Sequence, residues 1–252
     1  MDRSEPNERL SEMSTQTTLL FQAHHGTPEE ADQALGLLML RYSGAIHRYL
    51  LKAVGDPEVA KDLNQEFSVK FLSGGFRSFD PSRGRFRDYI KRAVHNMMVD
   101  HFRKKDPARR FDTELEQTTL GDPGLVAFDR DFLVSWRQDL LDRAWSSLEE
   151  LEKRTGQPYL QVLRMRVARP EFRSPELAEA LAPKLGRSIT PGNLRQTLHR
   201  ARDKFAEFLI AEVCISLREP TRDEVEEELG ELKLLEFCKP ALKRVNFDAA
   251  KN

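Results

Sequence analysis

Cysteine is scarce in this 252-residue chain. Cys214 and Cys238 are the two it has, and neither stands near a ligand-like partner. A zinc site or a disulfide scaffold is excluded on that ground, and the usage suits a reducing compartment. Long apolar runs are missing too. The longest spans about seven residues, 34–40, against the roughly 18 a membrane-spanning helix requires. Residues 1–10 are charged with no apolar stretch, which predicts no export signal and a cytoplasmic location. No Gly-Lys-Ser/Thr loop is present, so no ATP-binding motif is expected. Neither Ser/Cys–His pairing nor metal-ligand spacing occurs, so the chain reads as a non-enzyme that needs no cofactor. Charge of one sign is also lacking. Lys and Arg number 40 against 41 Asp and Glu, for a net charge of -1. The whole chain is therefore not a general polyanion binder.

What is present is helical periodicity; alternating strand patterns and internal repeats are essentially absent. The fold class expected is all-α: two helical domains joined by a flexible linker, the second a helix-turn-helix, with an acidic helical C-terminal extension. A first amphipathic helix is predicted over 30–54, with Leu35, Leu38, Tyr42, Ile46, Tyr49 and Ala53 on one face. Asp56 then Pro57 signal a second helix, because an Asp side chain can accept from free N–H groups and Pro is tolerated at the first helical position. That helix turns Ala60, Leu63, Phe67 and Phe71 inward. A Gly-rich loop covers 73–84, and a third helix, 85–103, buries Phe86, Tyr89, Ile90, Ala93 and Met97. Periodicity fades over 104–124 and returns at 128–153 with Phe132, Trp136, Leu140, Leu148 and Leu151. It breaks at Gly156-Gln157-Pro158. Two shorter helices start at Ser174-Pro175 (Leu177, Ala178, Leu181) and Thr190-Pro191 (Leu194, Leu198, Ala201, Phe205, Leu209), with a long turn over 182–189 between them.

Near-neutrality conceals segregation. Residues 77–110 hold 11 Lys/Arg and 4 acids, and residues 187–204 hold 5 and 1. Between them, 111–131 carry 6 acids and 1 Arg; near the end, 219–236 carry 8 acids and 2 basic residues. Two basic blocks flanking an acidic stretch suggest two polyanion contacts on one chain, although solvated helix faces would give the same count. Within the first block, residues 74–87 interleave Phe76, Phe79 and Phe86 with Arg77, Arg83, Arg85 and Arg87. Single-stranded nucleic acid suits that mixture, with cations for phosphates and ring faces for unstacked bases. The phenylalanines could equally be core anchors; the arginines have no such reason to be there. On the third helix Arg92, His95, Asn96, Val99 and Arg103 line the side away from the core, where Asn96 could pair with a base edge.

Gly55-Asp56-Pro57-Glu58, Asp62-Leu63-Asn64-Gln65-Glu66-Phe67, the run Phe79-Asp80-Pro81-Ser82-Arg83-Gly84-Arg85-Phe86-Arg87-Asp88-Tyr89-Ile90, then Ala93-Val94-His95-Asn96 and Asp100-His101-Phe102-Arg103 stand in an order and spacing that resembles the second conserved region of bacterial RNA polymerase sigma factors of the extracytoplasmic-function group. Residues 190–202, above all Leu198-His199-Arg200-Ala201-Arg202, resemble that family's fourth region. The resemblance covers about 30–209. It implies a promoter-specificity subunit that directs promoter recognition, promoter melting and transcription initiation. It implies that Asp62, Gln65 and Glu66 face the polymerase core. It assigns Phe76, Arg77, Phe79, Asp80, Arg83 and Arg85 to a loop that captures the non-template strand of the upstream promoter element, with Arg92, His95, Asn96 and Arg103 along that strand. Asn193, Arg195, Gln196, His199 and Arg200 are implied to enter the major groove of the distal element, and Arg202 to meet phosphate. The chain departs from the family in its long 182–189 turn and in Thr197, where a basic residue is usual.

The organisation expected is an N-terminal extension without fixed structure (1–29), region 2 (30–105), an acidic linker (106–127), region 4 (128–212) and an acidic extension (213–252). The partners implied are RNA polymerase core and promoter DNA, with an anti-sigma factor or the chain's own C-terminal extension as regulatory counterpart, and no membrane. In that extension an apolar stripe (Val225, Leu229, Leu232, Leu235) runs under an acidic face. It reads as a helix packed on the second module, or as an acidic lid over the basic recognition helix. The competing function is a helix-turn-helix DNA-binding regulator not stably bound to polymerase, which would have no use for the Asp62/Gln65/Glu66 ridge.

Overall fold

The computed structural model describes residues 19–20, 22–23, 26–73, 79, 85–105, 123–217 and 220–247. Among them the chain is all-α, without a strand: α1 Pro28–Val54, α2 Pro57–Leu72, α3 Phe86–Lys105, α4 Pro123–Thr155, α5 Tyr159–Ala168, α6 Ser174–Leu185, α7 Pro191–Ile215, α8 Arg222–Glu231 and α9 Leu235–Leu242. The expected linker falls largely on 106–122, and most of the 1–29 extension likewise lies outside the described residues. The chain divides into two compact units, Met1–Asp139 with Cys214–Pro220, and Leu140–Val213 with Thr221–Asn252.

In the first unit, sequence-local chemistry sets the helix starts. Thr27 and Glu30 form a reciprocal box at the head of α1: Thr27 Oγ1 accepts from the Glu30 N–H at 3.3 Å, and the Glu30 carboxylate accepts from the Thr27 N–H at 2.9 Å. Gly55, at φ 71°, closes α1 in the left-handed region. Asp56 Oδ1 then accepts from the Glu58 and Val59 N–H groups at 2.9 and 3.2 Å and opens α2. Leu38, Ile46 and Leu50 of α1 are fully buried with Ala60, Leu63, Phe67 and Phe71 of α2. Ala53, expected on the same face, is exposed, because it lies in the last turn of α1 where the helix runs past its partner.

An aromatic cluster holds this core together. Tyr42 stacks on Trp136 of α4 with ring centroids 4.6 Å apart and planes at 7°, and meets Phe86 of α3 at 5.1 Å. Phe132 packs edge-on against Tyr49 at 5.7 Å. Sequence alone grouped Phe132 and Trp136 with the second module; in the structure their rings lie on α1. Polar ties follow the same line, with Lys52 to Asp131 at 2.8 Å and the Arg48 guanidinium donating to the Ser135 carbonyl at 3.2 Å.

In the second unit, Glu152 crosses the Gly156 turn to accept from the Leu160 and Gln161 N–H groups at 2.7 and 3.2 Å, which covers the free donors at the head of α5. α5 packs on α6. Helix α6 runs past Pro183 to Leu185 and ends at Gly186, φ 63°. The connection to α7 is thus 186–190, shorter than the 182–189 turn expected, because α6 continues through Pro183 to Leu185 before Gly186 ends it. Thr190 Oγ1 accepts from the Asn193 N–H at 3.2 Å at the start of α7. Leu194, Leu198, Ala201, Phe205 and Leu209 are buried as their spacing requires. Arg143 to Glu212, 2.6 Å, and Trp145 to Phe205, centroids 4.5 Å apart, join α4 to α7.

The single C-terminal helix expected over 221–242 is instead two. They are separated by 232–234, where Lys233 takes a left-handed φ of 57°. Val225, Leu229 and Leu232 are buried, and Phe237 meets Phe205 of α7 edge-on at 5.9 Å. The tail is therefore packed on the second unit.

Candidate nucleic-acid and polymerase interface

Three exposed helix stripes carry the candidate residues. On α2, Asp62, Gln65 and Glu66 are all exposed while Leu63 and Phe67 point inward, as i, i+3 and i+4 spacing on one helical face demands. A hydrogen bond from Lys70, 2.7 Å away, and its charge hold the Glu66 carboxyl below the ordinary carboxylate range, with Lys104 and His101 of α3 adding to the effect. The ridge is thus charged at neutral pH. Val69 and Leu72, 64 % and 45 % exposed, continue it one and two turns on. Sequence reasoning passed over these two, although their spacing from Asp62 and Glu66 was readable.

On α3, Arg92, Asn96 and Arg103 are exposed at i, i+4 and i+11, a stripe about 16 Å long at 1.5 Å per residue. His95 sits half-buried at its edge. Burial pushes its pKa down, while its hydrogen bond with Asn96 and the charge of Asp129 pull the other way. Of the loop that precedes α3, Phe76, Arg77, Asp80 and Arg83 lie outside the described residues. Phe79 is 6 % exposed and packs on Phe86 and Tyr89, with centroids 5.6 and 5.2 Å away. For this ring the anchoring alternative holds: a buried face offers no platform to a base. Arg85 is half-buried, and Arg87, one of the arginines interleaved with the phenylalanines, is only 2 % exposed beside Asp88 at 3.8 Å. Arg87 follows the first core residue of α3 and is carried under the surface with it.

On α7, Asn193, Arg195, Gln196, His199, Arg200 and Arg202 are all exposed. Helical spacing splits them into two stripes. Asn193, Gln196 and Arg200 form one. Arg195, His199 and Arg202 form the other and line a cavity of about 620 Å³ whose far wall is α9, through Glu236, Phe237 and Pro240. Asp203, at the same cavity, accepts from Arg244 at 3.0 Å and lies 3.2 Å from His199. The tail residues at this cavity belong to α9, which carries Lys239, and is followed by Lys243 and Arg244. None of the lining residues comes from acidic α8, and one of that helix's acids, Glu228, is buried.

Residues 38–107 match the family model described as Sigma-70 region 2. That match spans a little over a quarter of the chain and contains both the α2 ridge and the α3 stripe. It makes this segment similar to region 2 of sigma-70 factors, a family that acts in transcription initiation with RNA polymerase and promoter DNA. Comparison with curated proteins and with solved structures gave no match. Among the described residues no cluster of three or more His, Cys, Asp or Glu side chains is placed to hold a metal ion, and no helix is long and apolar enough to cross a membrane.

Proposed function

We propose that this chain is a sigma factor of the extracytoplasmic-function group that steers RNA polymerase core to its promoters and helps to open them. The observation that carries the reading is the coincidence, within 38–107, of the region 2 match with an exposed carboxylate-and-amide ridge on α2 and an exposed cationic stripe on α3. In this reading Asp62, Gln65 and Glu66 dock on the core enzyme. Arg92, Asn96 and Arg103, with the arginines and Phe76 of the preceding loop, hold the displaced non-template strand. Extruding a base costs a few kcal/mol, and aromatic stacking returns about 1–3 kcal/mol per base, so binding energy alone is of the size that melting needs.

The second unit supplies duplex recognition. Helices α6 and α7 act as a helix-turn-helix, with Asn193, Gln196 and Arg200 reaching base edges in the major groove. Gln and Arg side chains each offer bidentate pairing worth about 1–3 kcal/mol of discrimination. Arg195, His199 and Arg202 flank that stripe.

Run-off transcription with core polymerase on a genomic promoter library tests the reading. The wild-type chain should redirect initiation to a defined promoter set. Asp62→Lys should abolish core association with an unchanged melting curve, and Asn96→Ala and Gln196→Ala should each shift promoter choice. A chain that binds duplex DNA but neither co-purifies with core polymerase nor redirects initiation is the helix-turn-helix regulator instead.

A further inference from the structure

We infer that the α7–α9 cavity is a second seat for the DNA sugar-phosphate backbone, in which the last helix of the chain acts as a clamp rather than a lid. The inference rests on the reading of α7 as the helix that enters the major groove. A helix with side chains is about 10–12 Å across and the major groove about 12 Å wide. When Asn193, Gln196 and Arg200 face the bases, the stripe about a third of a turn around the helix meets a groove wall, which is phosphate. Arg195, His199 and Arg202 are that stripe, and they open onto the cavity. Arg195 and Arg202 stand two turns apart, about 10 Å, a distance long enough to reach two neighbouring phosphates of one strand.

The cavity has the mixed chemistry of a nucleotide backbone. Leu198, Ala206 and Ala241 supply an apolar floor that suits deoxyribose, and guanidinium groups stand at the rim for phosphate oxygens. Its two carboxylates are already engaged: Asp203 by Arg244 and His199, and Glu236 by Lys239. Arg195 and Arg202 are exposed and make no ion pair among the described residues. Beyond them stand Lys239 of α9, the partner of Glu236, and Lys243 just after the helix, both exposed. Lys243 caps the end of α9, three residues after the cavity-lining Pro240 and seven after Glu236. The acidic block of the tail lies mainly in α8, which lines none of the cavity, so the charge next to α7 has the sign that attracts DNA.

The test uses the full chain and a fluorescein-labelled 30-bp duplex of mixed sequence, with binding followed by anisotropy over a salt series. Lys239→Gln/Lys243→Gln should weaken binding at every sequence tested and lower the slope of log K against log salt by about one per lost phosphate contact. Glu236→Gln should strengthen binding. Promoter preference in run-off assays should stay that of the wild type. An unchanged slope and affinity in the double variant overturns the proposal. Tighter binding by the double variant also overturns it, in favour of a lid. So does loss of binding to labelled poly-glutamate with the DNA slope intact, which makes the occupant an acidic peptide. Failure of the wild-type chain to redirect polymerase strikes the proposed function separately, since the duplex assay contains no polymerase.

Discussion

Tyr42 of α1 lies flat on Trp136 of α4, ring centroids 4.6 Å apart, and both side chains are 1 % exposed. The pair ties the helix after the undescribed 106–122 segment to the helix that begins the first unit. Tyr42→Ala should therefore destabilise that unit by about 3–5 kcal/mol, the range for deleting a buried aromatic ring. The chain has two tryptophans, Trp136 in the first unit and Trp145 in the second. Urea unfolding followed by Trp136 fluorescence in a Trp145→Phe background reports the first unit alone. A midpoint that does not move would show the stack to be dispensable.

Asp56 is the cap on which the start of α2 depends. Asp56→Ala leaves the Glu58 and Val59 N–H groups without their acceptor and should cost about 1 kcal/mol. Asp56→Asn and Asp56→Ser should recover most of it. Thermal melts of the three variants by circular dichroism check the order.

The acid response of the first unit should contain a His95 component. Its folded pKa is pushed below the ordinary 6.5 by burial, so the unfolded chain takes up the proton first. Stability is fully present above about pH 6.5 and declines as pH falls through the folded value. His95→Gln should remove that decline while leaving the difference between the two proteins constant above pH 7. Urea midpoints measured from pH 8 to pH 5 decide it. Parallel curves for wild type and variant across the whole range contradict the assignment.

Cys214 and Cys238 are 2 % and 0 % exposed, and burial pushes both thiols up to about 12. Very little thiolate exists at pH 8, and what forms is shielded. Ellman's reagent at pH 8 should react with both thiols promptly in 6 M urea and with neither over the same interval in buffer. Prompt reaction of one thiol in buffer would mean that its helix opens locally.

The inward faces of α1, α2 and α7 were legible in the sequence because helical periodicity is a local property, and the Asp56 and Thr190 starts were legible because a cap is made within three residues. Which neighbour an apolar face meets is not local. Phe132 and Trp136 announced a buried stripe on α4 without announcing that Tyr49 and Tyr42 would cover it. Arg87 reads as a surface cation until its position, one residue into α3, carries it under. The six α7 candidates are all exposed, but their separation into an open stripe and a cavity stripe depends on α9, more than 30 residues further along the chain. The Phe76, Arg77, Asp80 and Arg83 assignments stay with the sequence and the family resemblance.

Lys233 gives the tail an unexpected economy of design. An L-residue at φ 57° sits where its own Cβ crowds the backbone, a disfavoured arrangement that glycine escapes and asparagine tolerates. A single residue thus breaks a uniformly amphipathic stretch in two, parting a strongly negative helix from one with no net charge. Gly or Asn at 233 would ease the hinge without touching either. A valine or isoleucine there would resist the bend and favour one straight rod, carrying Phe237 away from Phe205 and dismantling the cavity from a distance.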